Sequence, residues 1–214
     1  MGSATISTTF LLTSLLGVAL LETAAAYVGT WMQPPRLWLI AGTRTAQMLV
    51  VIILAMVQGG GLQTLGLDGR TLKSGFRKGL VWSAGFGAAA GLLFMGLFMA
   101  GLDPFMLVRS PLPRGAYQRV LFFFVGGIVA PVAEEIVFRG LIFGYLRSWG
   151  VPAAVLISTA LFAALHLPAA PITQIVGGVV FSVAYHTGKS LMVPIVIHVL
   201  GNLAIFTLSL PWFR

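Results

Sequence analysis

Two adjacent glutamates lie in the middle of an apolar stretch, where ionisable side chains are rare. Glu134 and Glu135 occupy the run from Ala130 to Arg139, and each charge at such a depth costs at least ~2.5–3.5 kcal/mol on insertion scales. Glu135 and Arg139 are i and i+4 on a helix, so we expect them to pair and to support a pocket. Glu134 points about 100° away from that face and has no local cation. Glu134 is therefore the candidate catalytic residue.

Two histidines also lie inside apolar runs. His166 closes the sequence Phe162-x-x-x-His166, and His198 is followed at i+4 by Asn202, which shares its helix face. A single intramembrane histidine more often makes a hydrogen bond between helices than it catalyses a reaction. At about 1.5 Å per residue, Glu134 and these polar side chains lie ~10–22 Å from one membrane face. Their shared depth predicts one polar pocket rather than unrelated packing contacts.

Such a pocket could hydrolyse a peptide bond. A carboxylate and a neutral imidazole that meet on one water can remove its proton as it attacks a carbonyl carbon, and can return a proton to the leaving amine. We expect Glu134 and His166 to be that pair. The oxyanion of the tetrahedral intermediate needs hydrogen-bond donors already in place, which an imidazole N–H and an amide NH2 supply. His198 and Asn202 fit this role.

Other hydrolytic schemes have less support. The sequence has no Gly-x-Ser-x-Gly elbow, no cysteine, no intramembrane aspartate pair and no His-Glu-x-x-His. A metal site built from Glu134, His166 and His198 remains open, because carboxylate and imidazole ligands suit zinc, although no ligand-spacing motif is present. The structural alternative is a buried pair of Glu135 and Arg139 that only fixes helix packing. It explains Glu135 and leaves Glu134 unexplained.

The elements that must position these residues are membrane-spanning helices. Hydrophobic residues make up 58% of the 214 residues and charged residues only 8%, against about 25% in a soluble domain. A bilayer accepts such an apolar surface. The net charge is +8, and we expect the basic residues to face anionic lipid headgroups. Because these residues form no contiguous basic face, they do not indicate a nucleic-acid partner. We expect the lipid bilayer and a membrane-associated protein or peptide substrate as the partners.

Apolar runs of about 20 residues, the length that crosses a hydrocarbon core, predict an all-α, polytopic transmembrane bundle that forms a single domain over 1–214. The first run lacks a basic n-region and is too long for a signal-peptide core, so we expect it to be a span. The predicted helices lie near 8–28, 38–57, 80–101, 120–146, 151–167, 172–187 and 191–210.

Local irregularities in these helices also carry predictions. Pro131, with Gly126 and Gly127 one turn earlier, should bend the fourth helix and open a conical active-site cavity near the glutamates. The fifth and sixth helices are short, and the uncharged connection between them at 167–171 contains two prolines. Irregular backbone at membrane depth needs protein or a wet cavity around it. We therefore expect a hydrated interior.

The remaining acidic residues and the third histidine have ordinary explanations. Asp68 and Asp103 lie in turn-like contexts, and Glu22 lies near a helix end. His186, beside Thr187-Gly188-Lys189-Ser190, is expected in a loop.

Three motifs in order make the chain resemble the CAAX protease and bacteriocin-processing family, which includes the Rce1-type prenyl-protein endopeptidases and the Abi proteins. They are Glu134-Glu135-x-x-x-Arg139, Phe162-x-x-x-His166 and His198-x-x-x-Asn202, each inside a predicted helix. Leu65-Gly66-Leu67 and Thr187-Gly188-Lys189-Ser190-Leu191 also resemble segments of that family. The motif-bearing core covers about 117–210, whereas the first hundred residues resemble the family only as generic apolar spans.

The resemblance implies a glutamic intramembrane endopeptidase. In it Glu134 and His166 activate water, His198 and Asn202 stabilise the oxyanion, and neither a metal nor another cofactor takes part. Members of the family are commonly described with eight transmembrane helices, whereas we count seven, so we expect a bundle of about 7–8. A small chain rich in glycine and alanine resembles the prokaryotic branch, which implies a multi-pass protein of the inner membrane and a membrane-anchored tail as substrate.

The main rival is a non-enzymatic membrane protein. The same polar cluster could bind a peptide for bacteriocin immunity or relay protons in a small transporter, because intramembrane Glu and His also mark ion pathways. Transporters often contain paired broken helices in corresponding halves, and the sequence shows no such pair.

Overall fold

The structure is a computed structural model that describes residues 5–167 and 172–210. This part of the chain is all helical, with seven main helices and no strand. The helices are α1 (Thr8–Trp31), α2 (Arg36–Val57), α3 (Gly69–Met99), α4 (Ala116–Trp149), α5 (Val151–Ala164), α6 (Ile172–Gly188) and α7 (Met192–Leu208). Short 3-10 helices at Leu62–Leu65 and Pro104–Leu107 lie before and after α3.

The helix lengths agree with a membrane bundle. Within the described residues, α1, α2, α3 and α4 are each long and apolar enough to cross a bilayer, and α5 and α7 are shorter apolar helices. The predicted helical membrane bundle is therefore confirmed, and the chain is a multi-pass membrane protein. The connection at 168–171, which we expected inside the membrane, lies outside the described residues.

Two helix ends differ from the expectation. The third helix begins at Gly69 rather than near 80, because Asp68 caps it by accepting a hydrogen bond from the backbone N–H of Arg70 (3.0 Å). His186, expected in a loop, lies instead in the last turn of α6, which continues to Gly188. Polar residues at a membrane surface can continue a helix beyond its apolar part, so hydropathy alone misses these turns.

Helix α4 lies at the centre of the bundle. It contacts α2, α5 and α7, while α1 packs on α2, α3 packs along α7 and α5 packs against α6. The largest fully buried side chain among the described residues is Arg139 of α4, and Glu135, Leu141 and Phe143 of the same helix are also fully buried. The core therefore surrounds the second half of the helix that carries both glutamates.

The helix around Pro131, where we expected a bend, contains widened helical turns. Two π-helical segments, Val125–Val129 and Ile136–Phe143, flank the α-helical stretch Ala130–Glu135. In the first segment the N–H of Ala130 donates to the carbonyl of Val125, five residues earlier. π-helical turns inside α-helices are rare and occur frequently at functional sites. Here they bracket the two glutamates.

A second polar network lies between α1 and α2. Oε2 of Glu22 accepts hydrogen bonds from Nη1 of Arg44 (3.1 Å) and from Nε2 of Gln47 (2.7 Å), and Arg44 also donates to Oε1 of Gln47 (2.7 Å). The expectation that Glu22 lies near a helix end is wrong, because the residue lies well inside α1 and meets its cation on the neighbouring helix. Pairing offsets the cost of these charges in an apolar region.

The two minor family-like segments contact each other. The backbone N–H of Leu191 donates to the carbonyl of Gly66 (2.9 Å), and the Tyr185 hydroxyl donates to the carbonyl of Leu65 (3.1 Å). Gly66 has a φ of +80°, and a Cβ atom there would lie 2.6 Å from the Tyr185 hydroxyl oxygen. Only glycine fits both conditions. The contact joins the segment before α3 to the turn between α6 and α7.

Candidate active site

Glu135 binds partners on two helices with one oxygen. Its Oε1 accepts from Nη1 of Arg139 (3.2 Å), one turn later on α4, and from Nδ1 of His198 on α7 (2.7 Å). The Glu135 and Arg139 side chains are fully buried. The i, i+4 pairing expected from the sequence is therefore present, and the contact with His198 adds a link between helices.

Arg139 is held by more than its carboxylate. Its Nη2 donates to the carbonyl of Gly178 on α6 (3.3 Å), and its guanidinium carbon lies 4.7 Å from the ring centre of Phe162 and 5.1 Å from that of Phe181. Cations over aromatic faces are attracted by the ring quadrupole, more strongly when water is excluded. These contacts lower the cost of burying a guanidinium between three helices.

Phe162 contacts all three motifs. Its ring lies against Arg139 of the first motif, and its ring centre is 4.8 Å from that of His166 and 5.9 Å from that of His198. The backbone carbonyl of Phe162 is also 2.7 Å from Nδ1 of His166. From the sequence Phe162 was known only as the first residue of the second motif, whereas in the structure it lies between the motif side chains.

The two glutamates differ in access. The side chain of Glu134 is 18% exposed and that of Glu135 is 0% exposed. Oε2 of Glu134 lies 3.8 Å from Nε2 of His198, on the ring edge opposite the one that Glu135 binds. Of the pair, only Glu134 could therefore meet water or a substrate without a rearrangement of the buried contacts.

The hydrogen bonds assign protons to both histidine rings. A carbonyl oxygen only accepts, so Nδ1 of His166 donates to Phe162, and the neutral ring keeps its lone pair on Nε2. Oε1 of Glu135 also accepts from Arg139, which indicates a carboxylate, so Nδ1 of His198 carries a proton as well. His198 could donate from Nε2 only in its doubly protonated form.

Asn202 lies one turn after His198 on α7 and faces the first π-helical segment of α4. Its Nδ2 donates to the carbonyl of Gly126 (2.9 Å). Close approach of the helices is possible because Gly126 has no side chain: a Cβ atom there would lie 3.3 Å from the ring of Phe206. The bond leaves one N–H and the Oδ1 atom of Asn202 for other partners.

The structure brings the predicted residues together unequally. Glu134, Glu135 and His198 form one chain of contacts, and Asn202 joins the same two helices nearby. Glu134 and His166 are both described, but no direct hydrogen bond or ion pair links them; His166 reaches the cluster through Phe162. A molecule between Glu134 and His166 would be needed for them to act on the same atom.

Two contributors from α6 were not predicted. The ring of Phe181 stacks on that of His198, with centres 4.6 Å apart and planes at 22°, and the carbonyl of Gly178 accepts from Arg139. A Cβ atom at Gly178 would lie 2.7 Å from Thr159 of α5. The glycine pair Gly177-Gly178 within an apolar run was the signal available for this close contact.

The geometry gives no metal centre within the described residues. No group of three or more His, Cys, Asp or Glu side chains there is arranged so that it could hold a metal ion. The expected conical cavity around Glu134 stays a prediction.

Comparisons with known proteins agree with the motifs. Residues 116–204, which include every predicted site residue, match a family model described as type II CAAX prenyl endopeptidase Rce1-like. The chain is also 40% identical to the membrane-embedded CAAX protease MroQ of Staphylococcus aureus, over 38% of this chain and 36% of the relative. The match thus spans about a third of that relative's length. No solved structure matches the chain significantly.

The matched residues run from the start of α4 nearly to the end of α7. This is the part of the bundle in which Glu134, Glu135, Phe162, His198 and Asn202 meet. In this region the chain is therefore similar to the Rce1-like CAAX proteases of membranes.

Proposed function

We propose that the chain is an intramembrane endopeptidase that hydrolyses a peptide bond in a membrane-associated protein or peptide tail. The observation that carries the proposal is the unequal pair of glutamates: Glu135 is buried against Arg139 and His198, whereas the adjacent Glu134 is accessible and faces the free edge of the same imidazole. A role in helix packing alone would require only the buried Glu135. The family match supports the same reaction class.

In the proposed reaction Glu134 is the general base. A water molecule between Glu134 and Nε2 of His166 gives a proton to the Glu134 carboxylate while its oxygen adds to the scissile carbonyl carbon. The free lone pair on Nε2 of His166 orients that water. When the tetrahedral intermediate collapses, the C–N bond breaks and the protonated Glu134 returns its proton to the leaving amine, so the enzyme ends in its starting state.

His198 and Asn202 stabilise the oxyanion in this scheme. Because Nδ1 of His198 already donates to Glu135, the oxyanion must bind Nε2–H, which requires the imidazolium form. The Glu135 carboxylate, 2.7 Å from Nδ1 of His198, stabilises that imidazolium. Asn202 contributes the N–H that is not bound to Gly126. Each preorganised donor of this kind is worth about 10²–10³ in kcat.

The deciding experiment compares protein termini by mass spectrometry in membranes of cells that express the native chain or Glu134→Gln at matched levels. New C-terminal or N-terminal ends that depend on the native chain would establish proteolysis and identify the substrate together. Glu134→Gln keeps the size of the side chain and removes the base, so it should abolish those ends. Cleavage that survives in the variant would remove Glu134 from the mechanism.

Two alternatives make different predictions in the same assay. A metal-dependent protease should lose cleavage to a chelator and regain it with zinc, whereas a water-activating Glu134 and His166 should be insensitive to chelation. A bacteriocin-immunity protein or a proton-linked transporter should leave all termini unchanged, even with the native substrates present.

A further inference from the structure

Pro131 lies one turn before the glutamates, and its backbone nitrogen carries no hydrogen. In the π-helical turn before it, the N–H of Ala130 donates to the carbonyl of Val125. The next N–H in this i to i−5 pattern would belong to residue 131 and would bind the carbonyl of Gly126. Because proline has no N–H, that carbonyl has no backbone donor in the pattern.

The side-chain amide of Asn202 replaces the missing backbone donor. Its Nδ2 lies 2.9 Å from the carbonyl oxygen of Gly126, in a part-buried contact, and so supplies the donor that the helix backbone lacks there. The bond also restricts the side-chain amide of Asn202, since one N–H is committed to α4 and the other must point elsewhere. The direction of the second N–H of Asn202 is therefore set by the missing backbone N–H of Pro131, which lies 71 positions earlier in the chain.

We propose that Pro131 is a positioning residue that acts through Asn202: by leaving the Gly126 carbonyl free, it fixes the Asn202 amide in the orientation needed for an oxyanion donor. The catalytic meaning rests on the proposed function. The orientation itself does not, and it can be measured without a substrate.

The sequence offers a selective probe, because Asn202 is the only asparagine in the chain. Protein labelled with side-chain 15N-asparagine and held in detergent micelles should show one pair of side-chain amide resonances. In the native protein one proton of the pair should be shifted downfield and exchange slowly with water, as expected for the part-buried hydrogen bond to Gly126. Two protons that both exchange as fast as those of free asparagine would overturn the proposal.

Backbone substitution then tests the role of Pro131. Pro131→Ala restores an N–H that competes for the Gly126 carbonyl, so the downfield proton should move upfield and exchange faster. Replacement of Pro131 by lactic acid, by nonsense suppression, puts an ester oxygen where alanine has its N–H, and should preserve the native resonances. Native resonances in Pro131→Ala, or the same loss in both variants, would overturn the proposal. If Pro131→Ala does not fold, the native and lactic-acid measurements still decide the question.

Cleavage, measured as new termini, supplies a second readout. Asn202→Ala should slow cleavage by about 10²–10³-fold, and Pro131→Ala by up to about 10²-fold. Added to Asn202→Ala, Pro131→Ala should cause no further loss, because its effect passes through the missing amide. Multiplied losses would overturn the proposal. Pro152→Ala is the matched control, since Pro152 lies exposed in the first turn of α5, where no N–H is needed.

The two readouts separate the possible failures. If no new termini are found but the amide resonances respond as described, the proposed function fails and the positioning by Pro131 stands. If termini respond to Glu134→Gln and the resonances do not respond to Pro131→Ala, the proposed function stands and the positioning by Pro131 fails.

Discussion

His198 on α7 donates from Nδ1 to Oε1 of Glu135 on α4 over 2.7 Å, and this bond joins residues 63 positions apart in the sequence. The same oxygen accepts from Arg139. Glu135 is therefore the anchor of the cluster, while its neighbour Glu134 keeps an accessible carboxylate on the other edge of the imidazole. Adjacent residues of one type thus have separable roles.

The first prediction compares Glu135→Gln with Glu134→Gln. Glu135→Gln removes the ion-pair partner of the buried Arg139 guanidinium, so the free energy of unfolding should fall by about 3–5 kcal/mol. Glu134→Gln should leave thermal unfolding in detergent close to native, because the ion pair of that guanidinium is with Glu135, whereas Glu134 is partly exposed and lies beside His198. Both variants should lose cleavage. Equal melting temperatures for the two variants would contradict the anchor role of Glu135.

A second prediction concerns Phe162. Phe162→Leu removes the aromatic face that Arg139 contacts, a contribution of about 2 kcal/mol in a desolvated setting, and loosens both histidines. Thermal stability and cleavage should therefore fall together. Phe98→Leu is the matched control, because the Phe98 ring is 71% exposed on the bundle surface. If Phe162→Leu behaved like that control, Phe162 would not be the link between the motifs.

The network between α1 and α2 gives a third prediction. Arg44→Ala removes the cation of Glu22 within the apolar region, and we expect a loss of about 1–3 kcal/mol, because Gln47 still donates to the carboxylate. Glu22→Gln introduced into the Arg44→Ala protein should restore most of the stability, since it removes the uncompensated charge. No recovery in the double variant would argue against the ion pair.

The matched control for this network is Arg70→Ala. Arg70 pairs with Asp68 at the start of α3, with its own side chain 75% exposed. Exposed pairs of this kind contribute little to stability, so the melting temperature should hardly change. Thermal unfolding of all three variants in the same detergent makes the comparison.

The fourth prediction concerns Gly66. Gly66→Ala places a Cβ atom 2.6 Å from the hydroxyl oxygen of the buried Tyr185 and forces alanine to a φ of +80°. The backbone strain alone costs about 1–2 kcal/mol, so the protein should melt at a clearly lower temperature. Gly91→Ala should not lower it, because a Cβ atom there meets nothing within 4 Å. A native-like Gly66→Ala protein would show that the segment before α3 can move freely.

Short-range features were readable from the sequence. Apolar runs predicted the seven helices because hydropathy and helix rise set where a chain can cross a bilayer. The pairing of Glu135 with Arg139 followed from their i, i+4 spacing on one helix face. The motif residues were recognised because ionisable side chains are costly in lipid and because they resemble the motifs of a family whose model matches residues 116–204.

Only the tertiary structure decided which of these residues touch. The hydrogen bond of His198 to Glu135, the place of Phe162 between the motifs and the bond of Asn202 to Gly126 all cross between helices. Periodicity gives the face and depth of a side chain on its own helix, but not the rotation and offset of one helix against another. Those are set by packing, here by glycines such as Gly126 and Gly178 that let backbones approach.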